Sequence, residues 1–498
     1  MKNIIYLSLT VVFLTTFIVS CTDSFLAENP KGQLTQENFY QSEDDAVAAV
    51  NGTYNQLYGI YERLMFLVGD LPADVEKNGL GMPNQYLQNL EFMRYTAENV
   101  FVRRMWSRNY SGINRANTAI INISEMDQTT LGEDLKNRLT AELRFLRALF
   151  YFNLVRYFGD VPLVTNAETV QEAMIPRTPK NEVYAQIISD LEFAGQHLPI
   201  EYGEGDMGRA TKGAAKILLG KVHLRRENWE MASATLAEVV ENESQYGYGL
   251  FENYGDNWGQ ATETGQEAVF YIEFMMPPLN SNGAGGLQGP KYSVHEGQGI
   301  PCKSAASFEA DIPTEELYNR FSDDDERKNV TFQTEFYCGD TAYPSDIPLF
   351  TKYWDENVSV PTQSEHNFHV IRYADALLMY AEALFEQGNE TEALAQINRV
   401  RERAFNDQAH NYVTLSREKI WEERLLELAQ EGHRWFDLTR QGRFIERMKE
   451  HSQREEEIAG EPVRASLRNN IKDYMNLMPI PQREIDVNPE LEQNPGWN

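Results

Sequence analysis

Cysteine is almost missing from this chain of 498 residues: there are three, and no two of them form a CxxC pair. That excludes a disulfide-built scaffold and speaks against a cysteine-ligated metal site. Basic charge is also scarce, with 45 Lys and Arg against 75 Asp and Glu and a net charge of −30. A surface this negative repels phosphate backbones, so no nucleic acid is expected as a partner. It also offers no basic patch to hold an anionic bilayer. Signatures of catalysis are lacking as well. There is no GxSxG nucleophile elbow and no strand–helix alternation of a barrel enzyme. The octapeptide GQGIPCKS at Gly297–Ser304 imitates a phosphate loop, but Cys302 stands where the cradle needs glycine. His366 and His369 lie near Glu365 without a third ligand, which reads as a solvated loop pair. Neither metal nor cofactor is expected. With so many carboxylates, an exported glycan hydrolase is the competing enzyme class, because the pair it needs is defined by separation and not by spacing.

What is present begins at the N-terminus. Lys2 precedes an apolar run from Ile4 to Val19, closed by Ser20 and Cys21. The run is interrupted by Ser8, Thr10, Thr15 and Thr16, and falls short of the roughly 20 apolar residues of a spanning helix. It reads as a lipoprotein signal peptide over 1–20, with Cys21 as the lipidated first residue of the mature chain. A triacyl cysteine supplies the multiple chains that stable anchoring requires. Residues 21–34, with Asn29, Pro30 and Gly32, read as a tether. Residues 35–498 are expected to form a single domain. Cys302 and Cys338 are then an even pair in a compartment where a disulfide can persist, and a bridge and two free thiols stand equal.

The body is expected to be mainly α. Ser42 and Asp45 fit a capping box, and Ala46, Val50, Tyr54 and Leu57 recur at helical spacing behind it. Further helices are predicted over 100–126, 133–157, 180–197, 208–226 and 229–241. A later one runs over 416–430 and continues through His433 to Arg443, partly solvated. Two helical pairs carry the offsets of tetratricopeptide-type repeats: Leu219, Gly220, His223, Ala232, Leu236 and Val239, then Tyr380, Ala381, Leu384, Ala393, Ile397 and Val400. The small residue should let the two helices of a pair approach, with alanine on the second packing against it. The segment from Leu143 to Tyr157 is apolar nearly all round and should be deeply buried, with Arg144 and Arg147 paired to carboxylates. Residues 244–350 sustain no helical period and form an irregular, loop-rich region of the kind that is often functional.

Several segments together resemble the SusD/RagB family of outer-membrane nutrient-binding lipoproteins of the Bacteroidetes. They include Arg144, Phe145, Leu146, Arg147 and Gly159; Arg209, Ala210 and Thr211; Pro313, Thr314, Asp325 and Arg327; and Arg372, Tyr373, Ala374, Asp375 and Glu382. The series closes with Glu423, Arg424, Glu427, Glu431, Gly432, Arg434, Trp435 and Asp437, and with Pro479, Pro481, Asn488, Pro495 and Trp497. The resemblance implies a bundle of tetratricopeptide-like helix pairs supporting a loop-rich, irregular ligand-binding surface. It implies a lipid-anchored protein on the cell exterior that binds oligosaccharides or peptides and delivers them to a SusC-like TonB-dependent transporter. It implies a binding lid and not an enzyme. A helical-repeat scaffold without small cargo is the remaining alternative.

The chain departs from the family pattern over 60–98 and 244–312, where specificity should be written. Sugar receptors combine flat aromatics with amides, carboxylates or guanidinium groups. Such mixtures occur around Asn84 and Tyr86, and in the loops carrying Trp258, Asn282 and Tyr292. Asn84, Tyr86, Trp258 and Tyr292 are the candidate ligand contacts.

Overall fold

The structure is a computed structural model that describes residues 39–62, 64–78, 84–166, 169–259, 261–274, 312–338, 340–353, 366–459 and 465–497. The leader, Cys21, the tether, Asn282, Tyr292, Cys302 and the phosphate-loop mimic lie outside the described residues. So does any test of a Cys302–Cys338 bridge.

The principal helices are α1 (Glu43–Tyr54), α2 (Val100–Glu125), α3 (Glu133–Phe158), α4 (Lys180–His197), α5 (Lys212–Arg225) and α6 (Trp229–Val240), then α7 (Tyr373–Glu386), α8 (Glu390–Phe405), α9 (Arg417–Glu427) and α10 (Arg434–Arg440). Helix α1 starts as its sequence prescribes, with Ser42 and Asp45 in a reciprocal capping box. From α2 to α8 each helix packs on the next, and α1 lies across α2 and α3. All twelve repeat-offset residues of the two predicted pairs are buried. Close approach is real at Gly220, where an added Cβ would sit 2.6 Å from Leu236. The opposing residue is therefore Leu236, not the expected alanine. A second close approach, at Gly112, seats α2 on Phe150 of α3.

Helix α3 is buried from Leu143 through Phe158 except at Arg144. Arg147 forms the expected pair, a two-pronged salt bridge to Asp190 at 2.7 and 2.8 Å. Arg144 departs from expectation: its guanidinium lies over the Phe193 ring, 4.1 Å from the centroid, and no carboxylate bridges it among the described residues.

The chain leaves the stack at Val240 and rejoins it at Tyr373, where α7 packs directly on α6. The excursion between is more regular than its composition suggested. It holds β2 (Ala268–Ile272), β3 (Ile312–Pro313) and a hairpin of β4 (Phe332–Cys338) with β5 (Thr341–Phe350). Strand β2 pairs antiparallel with β6 (Phe368–Arg372), just before α7, and β3 with β1 (Glu76–Lys77), so the excursion is tied down near its return and again at its middle.

Charge holds the excursion down. Arg372, fully buried, bonds Glu267 at 2.6 Å, Glu427 at 3.0 Å and Glu431 at 2.7 Å. Arg327, also fully buried, bonds Asp325 and Glu423 at 2.7 Å and Glu427 at 3.2 Å. Arg403 bridges Glu267 and Glu427, and Lys352 meets Glu431 at 2.6 Å. These side chains come from the excursion, β6, α8, α9 and the turn after α9, and their carboxylates satisfy buried cations that would otherwise be very costly. Helix α9 is partly solvated, as expected: Arg417 and Glu418 are exposed, while Glu423, Arg424 and Glu427 in its second half face inward. The predicted continuation into His433 is broken, because Gln430 and Gly432 adopt left-handed φ of 62° and 75° before α10 begins.

Candidate ligand-binding surface

Of the residues picked from sequence, Asn84 is the N-cap of a short helix, Gln85–Glu91, its side chain accepting from the backbone N–H groups of Tyr86 and Leu87. That fixes the loop and occupies the amide oxygen. Tyr86 is 46% exposed and available to a ligand. Trp258 is not: its ring is buried between Tyr353 and His369, at centroid distances of 4.8 and 5.3 Å, with the Lys352 ammonium 4.4 Å from its centre. It packs the base of the excursion, because an aromatic face is a favourable lining for cations in a dry site. His366 and His369 likewise are buried, not solvated. His366 Nδ1 lies 3.3 Å from Glu263, and His369 Nε2 lies 2.7 Å from the Glu263 carbonyl oxygen. Strand β6 carries His369 into the packed interior, and His366 is buried in the segment just before it. No cluster of three His, Cys, Asp or Glu side chains able to hold a metal occurs among the described residues.

A different group of residues converges on a groove of about 320 Å³. One wall is the end of α1 and the turn after it, where Asn51, Tyr54, Asn55 and Tyr58 recur at positions three and four apart and so share a face. The other is the loop Asp206–Arg209 with Tyr271, Ile272 and Glu273 at the end of β2. Arg209 is held from three sides, by Asp206 at 2.6 Å, Glu142 at 2.9 Å and the Asn51 side-chain oxygen at 2.8 Å. Tyr58 donates its hydroxyl to the Glu273 carbonyl at 2.8 Å, and Tyr54 accepts from the Ala210 N–H at 3.0 Å.

The electrostatics suit neutral, hydrogen-bonding cargo. Burial, then Glu273 and Glu263, push the Tyr271 hydroxyl up to about 12, so it stays protonated and can donate. Burial and Glu263 also raise Glu273, whose carboxylate gains from a donor that approaches it. The guanidinium of Arg209 is already compensated and acts as a fixed donor frame more than as an attractor of anions. Three tyrosines, two amides, a held guanidinium and two carboxylates can grip hydroxyl groups and cover an apolar C–H face.

Sequence reading missed this groove because Tyr54 and Leu57 were counted as core spacing. The signal was present in the alternation Asn51, Tyr54, Asn55, Tyr58, a polar and aromatic stripe on a face that a core helix would keep apolar. Arg209 was noticed only as a shared motif residue.

No helix among the described residues is long and apolar enough to cross a membrane. Residues 337–497 match the family described as the SusD family, and residues 24–224 match one described as starch-binding associating with outer membrane. SusD-like protein P2 of Formosa agariphila is 30% identical over 480 residues, covering 87% of this chain and 90% of its own. SusD-like protein P25 of the same organism is 29% identical over 98% of both chains. Among solved structures, a laminarin-binding SusD-like protein superposes with a TM-score of 0.74 at 27% identity, over 92% of this chain and 100% of that one.

Proposed function

This chain belongs to the SusD family, a family of binding proteins and not of catalysts, and from that premise we propose that it captures oligosaccharides in the groove between α1 and β2. The carrying observation is the Asn–Tyr stripe Asn51, Tyr54, Asn55 and Tyr58 facing Tyr271 and the held Arg209 across about 320 Å³. Amide and phenol groups match a rim of hydroxyls, while tyrosine rings match the apolar face of a sugar. Tyr86 extends the surface on the neighbouring loop. Starch and laminarin, named for relatives, make glucans the first class to try. The chain is anchored in the outer membrane through Cys21, faces the exterior, and hands its cargo to a SusC-like TonB-dependent transporter.

Calorimetric titration of the full chain in detergent, against laminari- and malto-oligosaccharides and a peptide panel, tests this reading. Saturable binding of an oligosaccharide that is recovered intact is the expected outcome. Asn55→Ala should weaken it by up to about tenfold, as one hydrogen bond is worth about 1 kcal/mol. Breakdown of the sugar that copurifies with the protein would sink the reading in favour of a hydrolase.

A further inference from the structure

On the far side of α2 from the groove lies a second recess, a cleft of about 350 Å³. Its floor is the helix face of Trp106, Tyr110 and Ile113, with Pro162 and Met174 from the segment after α3 and Leu491 from the C-terminal tail. The Trp106 and Tyr110 rings lie 5.0 Å apart, and the Tyr110 hydroxyl donates to the Pro162 carbonyl at 2.9 Å, which fixes the ring in place. Ser107 and Asn114 stand exposed on the rim, about two turns apart on the same helix, and Glu484 faces them from the tail. Burial raises the Glu484 carboxyl even with Arg483 and Arg103 nearby, and no salt bridge closes on it among the described residues.

The helix geometry sets this cleft apart from the groove. Arg108, Ser111 and Arg115 occupy the opposite face of α2 from Trp106, Tyr110 and Ile113, at 3.6 residues per turn. That opposite face is the one that meets the α1 side: Arg108 abuts Gly59, and Ser111 donates to Gln56 at 3.0 Å. Helix α2, with the α1 segment packed on its opposite face, therefore stands between the two recesses.

We propose that the cleft is a second carbohydrate subsite, taking one or two sugar units, so that a long glycan is held on both sides of α2. This rests on the oligosaccharide reading above. A half-buried Tyr110 ring held in place on the buried Trp106, an amide, a hydroxyl and an unbridged carboxylate are the complement of a sugar ring, and the volume lies at the small end of ligand sites. Val487 at the cleft mouth is 56% exposed, an apolar side chain that a sugar face would cover. Two modest sites joined by one polymer hold it more tightly than either alone, since the second contact is intramolecular.

The experiment is titration of the full chain with laminarihexaose, maltohexaose and the parent polymers, with the double variant Asn114→Ala, Glu484→Gln and the groove variant Asn55→Ala alongside. Both altered cleft side chains are on the rim and outside the core, and thermal melting checks the fold. Two hexasaccharide sites per chain, falling to one in the cleft variant with a loss of about tenfold or more in polymer affinity, would establish the subsite. One site, indifferent to the cleft variant but weakened by Asn55→Ala, overturns the inference and leaves the proposed function standing. Absence of binding by every glycan overturns both.

Discussion

Burial keeps His369 neutral, its pKa pushed down to about 4; His433 is pushed down to about 3 by burial and then by Lys221. In the unfolded chain both take protons near pH 6.5, so their contribution to stability is complete above that pH and is lost as the pH falls toward 4. For His369 the loss amounts to about 3 kcal/mol. Asp70 acts in the opposite sense. Burial raises it to about 7, so the stability it contributes is full below pH 4 and fades as pH rises to 7. His369→Gln should therefore cost stability at pH 8 but flatten the decline between pH 6.5 and 4, read by urea unfolding at several pH values. A second residue-scale prediction concerns Gly112, where a Cβ would lie 2.4 Å from the Phe150 ring. Alanine gains up to about 1 kcal/mol of helix propensity, but overpacking a filled core costs about 1 to 3 kcal/mol. Gly112→Ala should lower the thermal midpoint. Neither the histidines nor Gly112 was legible in the sequence, because burial of a polar or small residue is decided by which distant strand or helix covers it.

At the scale of elements, the helices were largely legible. Predicted spans over 100–126, 133–157 and 180–197 meet α2, α3 and α4 within a residue at each end, because long amphipathic or apolar periods with caps leave few alternatives. Helix α9 was legible in position and in its partial solvation, with Arg417 and Glu418 exposed. Which of its charges turn inward was not legible: Glu423, Arg424 and Glu427 are buried, and only their charged partners on other elements reveal why. Removing one of those partners is the test. Arg372→Ala takes one of the cations from each of Glu267, Glu427 and Glu431, leaving three buried carboxylates under-compensated by Arg403, Arg327 and Lys352, and should cost about 3 to 5 kcal/mol in chemical denaturation. Arg417, 59% exposed and paired with Glu386, should cost less than about 1 kcal/mol when changed to alanine. A comparable loss at both positions would mean that the buried network holds nothing in place. The candidate site was less legible than the helices. Asn84 and Trp258 proved to be a cap and a packed ring, while the groove is made by bringing α1 against β2, more than 200 residues away, a juxtaposition that no local spacing encodes.

For the whole molecule, the net charge of −30 sets how cargo is met. Neutral glycan binding should keep its affinity from 50 to 500 mM salt, since hydrogen bonds and stacking are not screened; a steep salt dependence in titration would point to charged cargo instead. The last consequence comes from the topology. Because α6 packs directly on α7 and β2 pairs with β6, the 244–350 excursion leaves and returns at neighbouring points of an unbroken helical stack. It is built like a cartridge. Its contents should bear rewriting or lengthening while the chassis keeps its shape, provided Glu267, Asp325 and Arg327 stay within it and Lys352, just beyond it, is kept to latch it shut.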